Sequence, residues 1–472
     1  MNSNPVDFLN LLNGQVQYVV PRWQRRYCWG LEDIERLVED LLAVAAAGEG
    51  ATHYGGTLLT FPEPGPAGMP VQVFRVVDGQ QRLTTVSILL ASIAAKLGPD
   101  GVCGAWTGQS IFDLRITNPG AVPSQRRKLR LQDGDEREYG DGLTGKSGGA
   151  GAVSQAWRIA RRLVAKHDTA TLLDGLGRLR VVSIGLDHTD DPQQIFQSLN
   201  ATGRPLTESE KVKNWLLMGL PDAEQQELHN KHWLEMESAL DARHSSELID
   251  IFLRDVLRWW TGDTPGISQV YEGLRRWAVR NGKDDRRALC RELSRLAKLY
   301  GILTGTAGAH DASTERELCH LRALGFHVHR PFSLRLLNDA TQDNCNSAGS
   351  AALVATLAAV SSWLTRMWLA DRQLGGLNKA FAELAHERGP DSHEGYVDHW
   401  VDRINRRWNT RVGVPGDEAV REGIRTRKAY GGSATRSTRA VLCELMRHEH
   451  GKETIMPDEL TVEHVMPRRR IA

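Results

Sequence analysis

The chain lacks the features of a secreted protein. Only six of its 472 residues are cysteine, and no two of them form a Cys-x-x-Cys pair. Scattered cysteines of this kind indicate reduced cytosolic thiols and exclude a disulfide framework. The N-terminal segment, MNSNPVDFLNLLNG, has no basic stretch followed by an apolar run, so it does not read as a signal peptide. We therefore expect a cytoplasmic protein.

The chain also lacks an excess of charge of either sign. Lys plus Arg number 59 and Asp plus Glu number 58, which gives a formal net charge of +1. This balance excludes a globally basic nucleic-acid coat, so contacts with phosphates must come from local clusters. The long uncharged run at 347–365 is rich in Ala, Ser and Thr. It favours a buried helix over a membrane span.

Periodicity divides the chain into three predicted parts. Residues 1–220 mix strand and helix signals, whereas long amphipathic helical segments dominate 221–450. Residues 451–472 begin a further element. The predicted fold class is therefore α/β plus all-α, with an N-terminal α/β domain followed by a helical domain.

The most informative feature is a predicted strand, VQVFRVV, that leads into Asp-Gly-Gln-Gln-Arg at 78–82 and then into an apolar helix. Gly79 permits a tight turn, and the free N–H groups at the start of the helix favour an anion. Arg82 adds a planar guanidinium that suits two phosphate oxygens. Asp78 suits a hydrated magnesium ion or a water molecule. The pattern is typical of a phosphate site.

Two further observations bear on this junction. Thr84 and Thr85 place hydroxyls in the first helical turn, where one could cap the helix or touch a phosphate. The chain has no G-x-x-x-x-G-K-[ST] sequence, so the site is not a P-loop. The alternative interpretation is structural, with Asp78 capping the helix and Arg82 pairing with it.

A second element, VVPRWQRRYCW, places Trp23, Tyr27 and Trp29 among Gln24, Arg25 and Arg26. Rings that stack on bases, guanidinium groups that hold phosphate and an amide that reads a base edge suit a nucleic-acid surface. The alternative is that alternate residues belong to the core and that the arginines are solvated. A third element, 195–216, contains a predicted tight turn between two helices.

Together the three elements resemble the N-terminal module shared by modification-dependent restriction proteins of the GmrSD type and by phosphorothioate-sensing SspE proteins. The first motif is Pro21-Arg22-Trp23-Gln24-Arg25-Arg26-Tyr27-Cys28-Trp29, and the second is Asp78-Gly79-Gln80-Gln81-Arg82 with Thr85. The third comprises Phe196, Leu199, Asn200, Gly203, Leu206, Lys213 and Asn214. Trp23 stands where Tyr is common, and 210–212 replaces a more usual Asp-Leu-Ile. Of the two types, SspE is the closer match.

The resemblance implies a ParB/sulfiredoxin-like fold and hydrolysis of GTP or another nucleoside triphosphate with Mg²⁺ or Mn²⁺. It assigns catalysis to Asp78, Gln81 and Arg82. Nucleotide binding falls to Asp78, Gly79, Gln80, Gln81, Arg82, Thr84, Thr85, Lys213 and Asn214. Sensing of modified DNA falls to Pro21, Trp23, Gln24, Arg25, Tyr27 and Trp29. The expected role is defence against foreign DNA.

The last residues, TVEHVMPRR, resemble the opening of a His-Me finger (HNH-like) nuclease, with His464 as the general base. The chain ends eight residues after His464, so we expect its nuclease to be incomplete. We assign no metal site to the protein itself. A zinc site at Cys319, His320, His327 and His329 is disfavoured, because the spacing fits no common finger.

The predicted function is that of a DNA-modification-sensing NTPase, with GTP favoured, whose partner is double-stranded and phosphorothioate-modified DNA. Two alternatives stay open: a subunit that acts on glucosylated bases, and a ParB-like module that binds DNA without hydrolysing nucleotide. Basic clusters at 126–130 and 158–162 either follow a DNA backbone or form solvated faces. No membrane partner is expected, and self-association is left open.

Overall fold

A computed structural model of the chain describes residues 2–63, 70–146, 148–186, 190, 195, 205–241, 247–309, 311–342, 347–390, 395–406, 412–429, 431 and 433–450. It divides the chain into two compact units. The first comprises Met1–Leu206 and Leu217–Gln226, and the second comprises Thr207–Leu216 and Glu227–Ala472. The chain therefore changes unit more than once between 206 and 227.

The first unit contains a mixed six-stranded sheet with helices. Its strands are β1 (Asn2–Asp7), β2 (Val16–Val19), β3 (His53–Pro62), β4 (Gln72–Asp78), β5 (Val102–Cys103), β6 (Trp106–Thr107), β7 (Leu129–Arg130) and β8 (Leu179–Gly185). Its helices are α1 (Phe8–Leu11), α2 (Leu31–Ala46), α3 (Gln80–Leu97), α4 (Gly108–Ile111), α5 (Asp133–Leu143), α6 (Ala152–Lys166) and α7 (Thr169–Gly177). The strand order is β1-β8-β3-β4-β2-β7, and β5 pairs with β6 separately.

The sheet order brings the first two sequence motifs together. Strand β2 is parallel to β4, with Val19 opposite Arg75. Because parallel neighbours end at the same edge of a sheet, the segment after β2 and the turn after β4 meet there. Helix α3 leaves that edge and is buried along most of its length, from Leu83 to Ala94. It therefore anchors the turn in the core.

The second unit is helical in the part that the structure describes. Its helices are α8 (Glu208–Leu217, whose last residue falls in the first unit), α10 (Leu234–Ala239), α11 (Glu247–Thr261), α12 (Val270–Arg280), α13 (Arg286–Thr304), α14 (Ala312–Leu324), α15 (Arg330–Gln342), α16 (Ser347–Leu369), α17 (Leu377–His386), α18 (Tyr396–Asn405), α19 (Asp417–Thr426) and α20 (Ser433–His450). Helix α9 (Asp222–Leu228) spans the last change of unit. Aromatic side chains fill the core, and Phe332 meets Trp400 edge-on with ring centroids 4.9 Å apart.

Helix α16 contains the uncharged run. Its Ser350–Leu369 stretch is long and apolar enough to cross a membrane, with a mean hydropathy of 1.3, and 56% of it is buried inside the protein. Trp363 and Leu364 are fully enclosed. This burial agrees with the prediction of a core helix. The fold as a whole is α/β followed by a largely helical region, as the sequence predicts.

Candidate functional site

The turn between β4 and α3 requires a glycine. Gly79 has φ +91°, in the left-handed region, and it directly precedes the first residue of the helix. A Cβ at this position would lie 2.8 Å from the carbonyl oxygen of Thr57. Leu83 N–H donates to the carbonyl of Gly79 over 3.0 Å, which closes the first helical turn. The backbone strain and the close strand–strand approach therefore both select glycine.

Arg82 lies against a diglycine in strand β3. Its Nη2 would be 2.8 Å from a Cβ built on Gly56, and its Cδ would be 3.3 Å from a Cβ built on Gly55. Nη1 donates to the carbonyl of Thr57 over 3.4 Å. Burial lowers the pKa of Arg82, while Asp78 and Tyr54 oppose that shift. The Arg82 side chain therefore occupies space that a Cβ on either glycine would take.

Asp78 ends strand β4 and is half-buried beside this guanidinium. Burial raises the pKa of Asp78, and the Gly79 N–H together with the charges of Arg82 and Arg25 lowers it. The site therefore contains one carboxylate, two guanidinium groups and the free N–H groups of the first turn of α3. Such a set is chemically suited to an anion, and the carboxylate is suited to a hydrated cation held by that anion.

Three buried glutamines connect the two motifs. Gln80 Nε2 donates to the Arg25 carbonyl over 2.8 Å and to Gln24 Oε1 over 3.3 Å. Gln24 Nε2 donates to the carbonyl of Val77, one residue before Asp78. Gln132, at the start of α5, donates to the carbonyl of Gln24 over 2.7 Å. These amides fix the segment after β2 against the turn after β4.

The aromatic segment lies in the core and not on the surface. Trp23 is 3% exposed and Tyr27 is 5% exposed, Pro21 is buried, and Trp29 packs against the core. The Tyr27 hydroxyl bonds Thr85 Oγ1 over 2.7 Å. Trp23 and Tyr27 therefore do not offer exposed faces for bases to stack on, as the first interpretation required. The burial agrees with the alternative in which these aromatic residues belong to the core. The polar groups of the segment form hydrogen bonds to the motif at 78–82.

Several residues assigned to nucleotide binding are also enclosed. Thr84 and Thr85 are 2% and 1% exposed, and the Thr85 hydroxyl is bonded within the protein. Gln81 accepts from the Cys28 N–H over 2.9 Å and donates to the Arg26 carbonyl over 3.2 Å. These side chains shape the turn. Asp78, Gly79 and Arg82 are only partly buried, and they stay the candidate ligand groups of the motif.

The third motif is described only at its end. Phe196, Leu199, Asn200, Gly203 and His464 lie outside the described residues. Lys213 and Asn214 are on α8 and are buried in the second unit. The Lys213 ammonium lies 5.8 Å from the centroid of the Trp233 ring, a cation–π contact. Their nucleotide contact therefore stays a prediction.

The diglycine at Gly55 and Gly56 is not among the site residues predicted from the sequence. A signal was present, since two glycines inside a predicted strand indicate a bulge or a close approach. The structure has a register shift between Tyr54 and Thr57 at this point. Gly56 has φ +84°, which few other residues adopt.

Two histidines of the Cys/His cluster, His320 and His329, form hydrogen bonds within the second unit. His329 Nδ1 bonds Ser333 Oγ over 2.9 Å, and His320 Nε2 bonds Thr365 Oγ1 over 3.2 Å. Cys319 is exposed and contacts Glu315. Among the described residues, no three His, Cys, Asp or Glu side chains gather as metal ligands.

Comparison with known protein families indicates a component of a modification-dependent restriction system. Residues 8–217 match the model of a family described as the N-terminal domain of the GmrSD restriction endonuclease, and this match supports membership of the GmrSD family for that part of the chain. A search of curated proteins finds no match to the chain.

Proposed function

We propose that the chain is a DNA-modification-sensing NTPase, with GTP as its favoured substrate, in an anti-phage restriction system. The observation that carries this proposal is the position of Arg82, whose side chain packs against Gly55 and Gly56 near Asp78 at a strand–glycine–helix junction. A guanidinium held in this way is preorganised for two phosphate oxygens. The binding-only alternative has less use for Asp78.

We infer the roles of Arg82, Asp78 and Gln81 from their positions. Arg82 and the N–H groups at the start of α3 hold phosphate oxygens and stabilise the charge that develops on them. Asp78 is the carboxylate placed to hold Mg²⁺ or Mn²⁺, which would neutralise phosphate charge, or to orient the attacking water. Gln81, bonded to the backbone of 26–28, positions the turn. Its catalytic role therefore acts through the position of Asp78 and Arg82.

Sensing through the segment after β2 is proposed as an indirect effect. Arg25 and Arg26 are its more accessible charges, whereas Trp23 and Gln24 are buried. If DNA displaces Arg25, Gln80 moves with it, because the Gln80 side chain donates a hydrogen bond to the Arg25 carbonyl. DNA contact is thereby linked to the phosphate site. Phosphorothioate DNA is the preferred signal, and a glucosylated base is the alternative.

The ParB-like assignment of the α/β unit and the nuclease role of His464 are part of the same proposal. The mixed sheet, with the ligand groups at the ends of parallel β2 and β4, supports a phosphate-binding α/β fold. In the full system, nucleotide turnover would control nicking by a C-terminal nuclease.

The test is phosphate release from GTP and from ATP, without DNA and with plain, phosphorothioate or glucosylated duplexes. We expect hydrolysis that phosphorothioate DNA stimulates, and we expect Arg82→Ala to abolish it. The matched control is Arg36→Ala, which removes an exposed guanidinium from α2. Parent-rate hydrolysis by Arg82→Ala would refute the site. Nucleotide binding without turnover on every duplex would favour the binding-only module.

A further inference from the structure

The loop before β7 forms a cleft on the first unit that the proposed nucleotide site does not use. The cleft has a volume of about 510 Å³. Phe112 and Leu143 give it an apolar wall, and Thr117 and Ser124 line it with hydroxyl-bearing side chains. Three arginines of the basic cluster found in the sequence, Arg126, Arg127 and Arg130, also line it.

Buried polar side chains hold this loop in one conformation. Asn118 is fully buried, and its Nδ2 donates to the carbonyls of Val16 and Gln125, both over 2.9 Å. Gln17, which is 3% exposed, donates to the carbonyls of Ser124 over 3.0 Å and Arg127 over 2.9 Å. Their burial shows that the loop backbone is anchored to β2. The arginines on the loop are therefore presented by a rigid base.

Lys128 completes the anchor from the other side. It is 2% exposed, and its ammonium donates to Asn118 Oδ1 over 3.0 Å and to the carbonyl of Gly14. Burial and the nearby charge of Arg115 lower the pKa of Lys128 to about 8. Of the four basic residues in the cluster, this one is structural and is not available to a ligand.

The remaining charges of the cleft do not cancel. Arg127 Nη1 forms an ion pair with Glu136 Oε1 over 2.6 Å, and Glu136 is the acidic residue that lines the cleft. Arg126 and Arg130 are exposed, and neither side chain has a hydrogen bond or ion pair within the described ranges. Three arginines thus line the cleft with one carboxylate, Glu136, whose pKa the charges of Arg127 and Arg130 lower, so the preorganised cleft keeps a net positive charge beside hydroxyl groups and an apolar wall.

We propose that this cleft binds a phosphodiester group of the DNA backbone through Arg126 and Arg130. Arginine and hydroxyl side chains are the usual partners of backbone phosphates, and they fix the position of DNA without reading its sequence. Deoxyribose and the less hydrated sulfur of a phosphorothioate both suit the apolar wall. The inference rests on DNA as the partner in the proposed function, and it adds the surface that DNA touches.

The test measures binding of a labelled duplex to the full chain at several salt concentrations, with plain and phosphorothioate backbones of one sequence. For Arg126→Ala/Arg130→Ala we expect an affinity loss of roughly tenfold or more. We also expect the slope of log K against log salt to fall in magnitude by about 0.9, since the two arginines neutralise one phosphate and each neutralised phosphate contributes about 0.9. Arg36→Ala/Arg275→Ala removes the same charge from exposed positions on α2 and α12, outside both basic clusters, and should keep the parent slope.

The outcomes separate this inference from the NTPase proposal. Loss with both duplexes supports contact with an ordinary phosphodiester, and loss with the phosphorothioate duplex alone supports contact at the modified group. Parent affinity and slope in the double variant would overturn the inference, even if GTP hydrolysis is intact. Loss of GTP binding with unchanged DNA binding would also overturn it, because the cleft would then hold free nucleotide. Absence of hydrolysis in the parent chain would instead count against the NTPase proposal alone.

Discussion

Gly56→Ala tests the position of Arg82 without changing Arg82 itself. A Cβ at residue 56 would lie 2.8 Å from Nη2 and 3.2 Å from Cζ of the guanidinium. Carbon atoms do not approach a guanidinium this closely, so Arg82 must leave the backbone of β3. The carboxylate of Asp78 then loses the fixed positive charge that opposes its rise in pKa.

The size of the effect follows from two separate costs. Losing a well-placed charge-assisted contact to phosphate is worth about 1.5–3 kcal/mol, which corresponds to a fall in kcat/KM of roughly 10- to 150-fold. An alanine at φ +84° also costs about 1–2 kcal/mol of folding free energy, because its Cβ approaches the backbone. The first cost appears in turnover and the second in stability.

The assay is steady-state GTP hydrolysis, with urea unfolding measured on the same samples. Gly50→Ala is the matched control, since Gly50 has φ +86° and no atom within 4 Å of its built Cβ. It should share the loss of stability and keep the parent kcat/KM. Equal turnover of Gly56→Ala and Gly50→Ala would refute the reasoning, because the contact with Arg82 would then have no part in catalysis.

Two further predictions concern stability. Gln132→Ala should destabilise the first unit by about 1–3 kcal/mol, because carbonyls of Pro21 and Gln24 lose a buried donor; an unchanged urea midpoint would contradict the amide network. Burial lowers the pKa of His329 to about 3 from its ordinary 6.5, so the unfolded chain takes up the proton first as the pH falls. The free energy of unfolding should decline from about pH 6.5 towards pH 3, by up to about 1.4 kcal/mol per pH unit. Thermal melts of the helical unit at several pH values should show a flatter decline for His329→Gln.

The sequence predicts most of the sheet, and the part it misses has a physical reason. Strands β2, β3, β4, β7 and β8 all fall on segments with strand-like patterns. Strand β1 is not predicted, because Asn2–Asp7 has no apolar run and contains Pro5. Proline is tolerated there because β1 is an edge strand that pairs only with β8. The edge position of β1 follows from how the strands pair in the sheet, and the sequence of Asn2–Asp7 alone does not specify it.

The candidate site is likewise only partly predictable from the sequence. Asp78, Gly79 and Arg82 are predictable because a turn and a helix start are local features. The diglycine that receives Arg82 becomes part of the site only through strand pairing. Trp23 is buried in a segment whose neighbouring Gln24 is bonded to Gln80 and Gln132, which lie 56 and 108 positions further along the chain, and no local pattern encodes such contacts. A short aromatic–arginine run therefore reads equally well as a surface or as a core.

The interleaving of the two units has a consequence for dissecting the protein. A fragment ending at Leu217, where the family match ends, would keep α8 but lose two of its hydrogen-bond partners. These are the Tyr271 N–H, which donates to the Glu208 carboxylate, and the Asp250 carboxylate, which accepts from the Ser209 N–H. It would also lose Asp222, which pairs with Arg75 of β4. A single cleavage between 206 and 227 therefore frees neither unit intact, and limited proteolysis there should yield nicked chains that stay associated.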